Sequence, residues 1–119
     1  AEKKTLVLLS AYKLGKERIL LAVAKALGQK IYVDRAKLPV LECLGWSDED
    51  MSHFTSNRNE SHVHVCRMGF CGEMWPYYRP NFKNVNEYLE KHSLAYDNVL
   101  AFIPTGLLCI GGMSIYFRR

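Results

Sequence analysis

The sequence predicts an α/β fold with a mostly parallel sheet and helices on both of its faces. Short apolar runs alternate along the chain with segments in which apolar residues recur at helical spacing. Apolar runs without polar alternation are typical of strands covered on both faces, as strands of parallel sheets are. Strands that alternate with helices pair in parallel through right-handed crossovers. The alternation therefore predicts a parallel sheet flanked by helices.

The first strand, turn and helix are the most clearly marked elements. Residues 5–9 form an apolar run, and residues 10–15 are small, polar and flexible enough for a turn. From residue 17 the apolar positions follow a helical period until Gly28, a residue type that commonly ends helices. We therefore predict a strand, a turn and an amphipathic helix in that order.

The rest of the chain continues this alternation. Asp34 is expected to cap the second helix. Pro39 is expected in the first turn of that helix, and the helix is expected to end at Gly45. Residues 46–59 are acidic and polar and predict a surface loop or short helix, whereas residues 69–81 predict a loop crowded with aromatics. The other predicted elements are strands at 30–33, 62–66 and 98–103, helices at 39–44 and 82–91, and a turn at 104–106. The last helix is expected to carry its apolar side chains on one face: Phe82, Val85, Tyr88 and Leu89.

The stretch 99–117 has to be weighed as a membrane span, because it contains no charged residue over a sufficient length. Proline and glycine interrupt it repeatedly, at positions 104, 106, 111 and 112. A buried strand, a turn and a second short apolar run explain this composition better than a helix does. We expect no membrane partner.

Composition bounds the class of protein. The chain has 119 residues, 49% apolar and 24% charged, which is ordinary for one folded domain or part of one. Its net charge of +4 permits a polyanionic partner, although the basic residues are spread along the chain and form no tail. The four cysteines, at 43, 66, 71 and 109, match neither a zinc ribbon nor a dense disulfide framework, so reduced thiols are expected.

The turn after the first strand is a candidate anion site. In open α/β sheets, ligands bind beyond the carboxyl ends of the strands, and helix N-termini favour anions. Lys13 and Lys16 lie at this position, and a phosphate would neutralise them. A Walker-type loop is excluded, because Ser10 replaces the required glycine and Glu17 the required serine or threonine. A turn with merely solvated lysines explains the residues equally well.

His62, His64 and Cys66 alternate like metal ligands on one strand face. Neighbours on one face of a strand are about 6.5–7 Å apart, which is too far for all three to bind one ion within about 2.3 Å. We therefore favour packing over a metal site.

The aromatic loop around Arg79, residues 74–82, has the composition of a surface that stacks bases and binds backbone phosphate. Packing of its aromatics against another part of a larger protein is the favoured alternative.

Four motifs in order resemble a known family. They lie at residues 10–17 (SAYKLGKE), 41–45 (LECLG), 60–65 (ESHVHV) and 101–106 (AFIPTG). They resemble the DNA repair metallo-β-lactamase region of the DNA cross-link repair nucleases, and residues 74–82 look most like its plant members, among them a form fused to an ATP-dependent DNA ligase. The resemblance covers roughly residues 4–106, so residues 1–106 are expected to be a partial β-CASP region and 107–119 a divergent tail.

The resemblance implies a nuclear, zinc-dependent 5′-to-3′ exonuclease that acts in interstrand cross-link and double-strand-break repair. Its metal motifs belong to a metallo-β-lactamase core, and neither the Asp-Thr-Thr nor the His-Ser-Ser segment of that core occurs in this chain. We therefore expect a fragment without catalytic or metal-binding residues, inactive alone, whose partners are DNA and the missing core of the same polypeptide. The expected DNA or phosphate contacts are Ser10, Tyr12, Lys13, Lys16 and Arg79. A non-catalytic DNA-binding or interaction module, or a small phosphate-binding α/β protein, are the alternatives.

Overall fold

The computed structural model describes residues 4–11, 17–67, 70, 72–73, 79–104 and 112–118, which fall into two units. One unit contains residues 1–11 and 66–119, and the other contains residues 12–65. The strands are β1 (Thr5–Ala11), β2 (Ile31–Tyr32), β3 (Phe54–Thr55), β4 (Val63–Arg67), β5 (Gly72–Glu73), β6 (Arg79–Pro80), β7 (Asn98–Pro104) and β8 (Gly112–Arg118). The helices are α1 (Glu17–Leu27), α2 (Leu38–Glu42), α3 (Asp48–Met51) and α4 (Phe82–Lys91), with a 3-10 turn at Arg58–Glu60.

The unit formed by the two ends of the chain is built on β1, β7 and β8. β1 pairs in parallel with β7, from Thr5 opposite Asn98 to Leu9 opposite Phe102. β8 pairs with the other edge of β7 in the antiparallel direction. The strands and α4 bury a common set of side chains, with Leu94 following the helix: Leu6, Leu8, Val85, Leu89, Leu94, Val99 and Ala101. Burial of this apolar surface is the main stabilising contribution in the unit.

The apolar stretch 99–117 lies within this unit as a strand pair. β7 occupies its first part and β8 its last, so the predicted strand and second apolar run are confirmed. Residues 105–106 of the predicted turn lie outside the described part of the chain. Among the described residues, no helix is both long and apolar enough to cross a membrane.

The unit of residues 12–65 places β2 between β3 and the start of β4. Both pairings are parallel, with Ile31 opposite Phe54 and Tyr32 opposite His64. α1 buries Leu20 and Ala24 and ends at Gly28, whose φ of 64° is the left-handed conformation that glycine adopts readily. Parallel pairing between strands connected through helices follows the sequence prediction, and the α/β fold class is confirmed.

The two long helices were correctly predicted, and several finer expectations were wrong. Asp34 does not cap α2, since its Oδ1 accepts a hydrogen bond from the Ala36 backbone within the preceding turn. Lys37, immediately before α2, pairs through its side chain with Glu17 and forms no side-chain cap. Phe82, the first residue of α4, shares the face of Val85 and Leu89 by spacing but is 47% exposed, so burial along this face begins only at Val85.

Two short pairings were missed because their two-residue strands lie within segments whose polar or aromatic composition predicts loops. β3 lies within the predicted acidic loop, next to α3 and the 3-10 turn. β5 and β6 form an antiparallel pair within the predicted aromatic loop. Strands of this length leave no recognisable alternation in the sequence.

Candidate functional site

The predicted anion-binding turn is mostly beyond what the structure describes. Tyr12, Lys13 and Lys16 lie outside the described residues, and Arg79 is described only as part of the backbone of β6. Ser10, near the end of β1, is 1% exposed, and its hydroxyl shares a 3.6 Å hydrogen bond with the thiol of Cys66. Its hydroxyl therefore faces the protein interior, and a contact from Ser10 to phosphate stays a prediction.

The start of α1 carries its own negative group. Glu17, the first residue of the helix, is 8% exposed, and its carboxylate accepts a 3.2 Å hydrogen bond from Lys37 Nζ. A carboxylate in the first turn complements the positive end of the helix dipole. The positive end of this helix is therefore already compensated by a charge of the chain itself.

A second polar cluster lies around the ring of Tyr32, at the end of β2. The guanidinium carbon of Arg58 lies 4.6 Å from the centre of that ring, and the His64 ring lies 4.9 Å from it. His64 is completely buried, and its Nε2 donates to the backbone carbonyls of Ser61, at 2.8 Å, and Arg58, at 3.1 Å. These contacts fix the tautomer of His64 with the proton on Nε2 and hold the 3-10 turn against β4.

The charges around Tyr32 are mixed. Burial raises the pKa of the Tyr32 hydroxyl above its usual value. The guanidinium of Arg58 opposes this rise, Asp34 adds to the rise in pKa, and Arg35 opposes it. Two arginines and one aspartate are thus close enough to act on one hydroxyl.

The residues of the His62, His64 and Cys66 pattern differ in their surroundings. His62 is exposed, whereas the buried Nε2 of His64 donates to carbonyl oxygens and Cys66 lies against Ser10. Throughout the described ranges, no three side chains of the types that bind metals are grouped together. His64 is thus packed inside the protein, as the packing interpretation predicted, and the absence of a metal from these three residues stays a prediction.

Sequence reasoning missed the cluster of Tyr32 and Arg58. The signal available was the order of residues after β2, where Asp34 and Arg35 follow the strand at the edge at which ligands bind in parallel sheets. Arg58 could not be linked to it, because the two-residue strand β3 that brings it to that edge was not predicted.

Comparisons with known proteins identify the family. Residues 48–110, more than half of the chain, match the family model described as DNA repair metallo-beta-lactamase. DNA ligase 6 of Arabidopsis thaliana is 44% identical over 106 residues, which are 89% of this chain and 7% of that protein. DNA cross-link repair 1A protein of Gallus gallus is 37% identical over 87% of this chain and 10% of that protein.

A third relative agrees with these two. DNA cross-link repair protein SNM1 of Arabidopsis thaliana is 31% identical over 88% of this chain and 20% of that protein. The chain thus spans a fifth or less of the length of these three relatives. The resemblance found in the four ordered motifs is confirmed, including the similarity to a plant ligase. The chain belongs to the DNA repair metallo-β-lactamase family.

Proposed function

We propose that this chain is the DNA-contacting part of a DNA repair nuclease and that the metal centre lies elsewhere in the same polypeptide. The activity of that whole protein would be 5′-to-3′ exonuclease cleavage in the nucleus, in the repair of interstrand cross-links and double-strand breaks. The observation that carries the proposal is the family match over residues 48–110. The small share of each relative that the chain covers supports a division of roles within a longer protein.

The proposed contacts are Tyr12, Lys13, Lys16 and Arg79. Lysines and arginines neutralise backbone phosphates and release counterions, which is the main source of affinity for DNA without sequence preference. An aromatic ring beside them supplies a surface for stacking an unpaired base. Ser10 enters the proposal as a residue near the end of β1 whose hydroxyl is held by its hydrogen bond with the thiol of Cys66.

The test is DNA binding by the 119-residue chain, measured as the fluorescence anisotropy of a labelled single-stranded 20-mer. Lys13→Ala/Lys16→Ala removes two positive charges and is expected to weaken binding about tenfold or more at low salt. Lys83→Ala/Lys91→Ala is the matched control, because both lysines are exposed on α4. Equal affinity of the two double variants would refute the assignment of Lys13 and Lys16.

The metal centre is assigned elsewhere in the whole protein because the Asp-Thr-Thr and His-Ser-Ser segments, which the family resemblance implies as metal motifs, do not occur in this sequence. The metallo-β-lactamase family implies a metal, and we propose that zinc is bound by the remainder of the whole protein. The purified chain is therefore expected to contain less than one equivalent of zinc and to leave 5′-labelled DNA intact. Stoichiometric zinc by elemental analysis, or trimming of the labelled strand, would contradict this assignment.

A further inference from the structure

We propose that Arg67, the last residue of β4, binds a backbone phosphate of DNA. This inference rests on the proposed function, because it takes DNA as the ligand of this chain. Arg67 is not among the contacts that the family resemblance implies, and it adds one cation to them. The residues that support the inference all belong to the unit formed by residues 1–11 and 66–119.

Arg67 lies where β4 ends beside β1. Cys66, the residue before it, shares a 3.6 Å hydrogen bond between its thiol and the hydroxyl of Ser10. Both residues are the last but one of their strands, so the two strands end side by side. β1 runs parallel to β7, and open parallel sheets bind ligands beyond the carboxyl ends of their strands. Arg67 is therefore placed at the edge of the sheet where a ligand is expected.

The backbone that follows Arg67 is held against α4. The Phe70 N–H donates a 3.1 Å hydrogen bond to the carbonyl of Arg67. The carbonyl of Phe70 in turn accepts a 3.0 Å hydrogen bond from Nδ2 of Asn84, in the first turn of α4. The Phe70 ring meets the Tyr88 ring edge-on, with 5.8 Å between the ring centres. Because this backbone is already fixed, Arg67 loses less conformational freedom when its side chain binds a ligand.

The side chain of Arg67 can receive an anion. Arg67 is exposed, and its guanidinium carbon lies 5.9 Å from the centre of the Phe70 ring, within the outer range of a cation–π contact. A contact with a ring face occupies no oxygen acceptor. Among the described residues, no carboxylate pairs with Arg67, whereas Lys37 is paired with Glu17. Its N–H groups match a phosphate, which arginine can bind through two parallel hydrogen bonds.

The opposite edge of the same strands differs in charge. Lys4 is exposed and lies immediately before β1, at the amino ends of β1 and β7. Its backbone N–H donates a 3.0 Å hydrogen bond to Oδ2 of Asp97, so a carboxylate is fixed beside this lysine. A phosphate near Lys4 would be repelled by Asp97. We therefore expect a phosphate contact at Arg67 and none at Lys4.

The experiment compares variants that each remove one positive charge from opposite edges of this unit. Arg67→Gln removes the proposed contact. Lys4→Gln is the matched control, because its side chain is exposed and the substitution keeps the backbone N–H that binds Asp97. Affinity for a labelled single-stranded 20-mer is measured by fluorescence anisotropy from 50 to 200 mM salt, and a parallel calorimetric titration uses inorganic phosphate. Thermal unfolding identifies any variant that fails to fold.

Arg67→Gln is expected to weaken DNA binding about three- to tenfold at low salt and to reduce the salt slope by about one. Lys4→Gln is expected to change the affinity less than about twofold. Arg67→Lys keeps the charge and loses the planar fork, so its affinity should fall between those of wild type and Arg67→Gln. Equal affinities of Arg67→Gln and Lys4→Gln would overturn the inference. Binding of free phosphate that Arg67→Gln abolishes, with DNA affinity unchanged, would overturn the assignment to DNA.

Failure of the inference and failure of the proposed function are distinguishable. If the wild-type chain binds DNA and Lys13→Ala/Lys16→Ala weakens it, while Arg67→Gln matches Lys4→Gln, the inference is wrong and the proposed function stands. If the wild-type chain binds no DNA, both are wrong. Should Arg67→Gln fail to fold, Arg67→Lys decides: a loss of about twofold or more supports the contact, and wild-type affinity overturns it.

Discussion

Replacement of His64 by alanine is expected to destabilise the chain strongly, whereas the same change at His62 is not. His64 is 0% exposed, packs against Tyr32 and donates to two backbone carbonyls. Loss of the buried ring is expected to cost about 2–4 kcal/mol, by analogy with other large-to-small core substitutions. The carbonyl of Ser61, left without its donor, adds about 1 kcal/mol. The free energy of unfolding should therefore fall by about 3–5 kcal/mol.

Urea unfolding followed by circular dichroism measures this difference. His62→Ala is the matched control, because His62 is exposed and its loss is expected to change stability by less than about 0.5 kcal/mol. His64→Phe keeps a ring and removes the donor, and we expect a loss of about 1–3 kcal/mol. Equal effects of the two alanine substitutions on the free energy of unfolding would refute the structural role of His64. A shared function of His62 and His64, such as metal binding, would then have to be considered again.

Three further predictions follow from packing, ion pairing and ionisation. Leu89→Ala is expected to cost about 2–5 kcal/mol in urea unfolding, against less than about 1 kcal/mol for Leu27→Ala, because Leu89 is 1% and Leu27 51% exposed. Lys37→Ala removes the lysine that pairs with the carboxylate of Glu17, whose side chain is only 10% exposed. We expect the free energy of unfolding to fall by about 2–4 kcal/mol. Lys83→Ala, at an exposed pair, should lower it by less than about 0.5 kcal/mol. Burial raises the pKa of both Tyr32 and Tyr96, so above about pH 10 the unfolded chain loses protons first and stability should fall as pH rises. Tyr32→Phe and Tyr96→Phe should each make that fall shallower in urea unfolding between pH 9 and 11, and an unchanged pH profile would contradict the burial of these hydroxyls.

Sequence periodicity was sufficient to predict the long elements of this fold. α1 and α4 bury apolar side chains at helical spacing, so their bounds could be read from the pattern and from the glycine that ends α1. β1 and β7 are continuous apolar runs, as expected for strands with covered faces. These elements carry most of the buried apolar side chains, and apolar pattern is what sequence reasoning detects best.

The candidate site was harder to predict, because its residues are brought together by short elements. Arg58 reaches the edge of the sheet through β3, which has two residues and therefore no periodicity. Asp34 was predicted to cap a helix, but its side chain instead accepts a hydrogen bond from the Ala36 backbone N–H within the preceding turn. Which of these two local hydrogen bonds forms depends on tertiary packing. Tyr32 was predicted only as a strand residue. The positive charges that act on its hydroxyl come from Arg58, which is distant in sequence, and from the exposed Arg35.

The salt dependence of DNA binding by the wild-type chain tests the central claim most directly. If basic residues of this chain contact backbone phosphates, the logarithm of the association constant should fall linearly with the logarithm of salt concentration. Three or four phosphate contacts predict a slope of about −2 to −3 for single-stranded DNA. A slope near zero, or no measurable binding at 50 mM salt, would contradict the proposal that this part of the family contacts DNA.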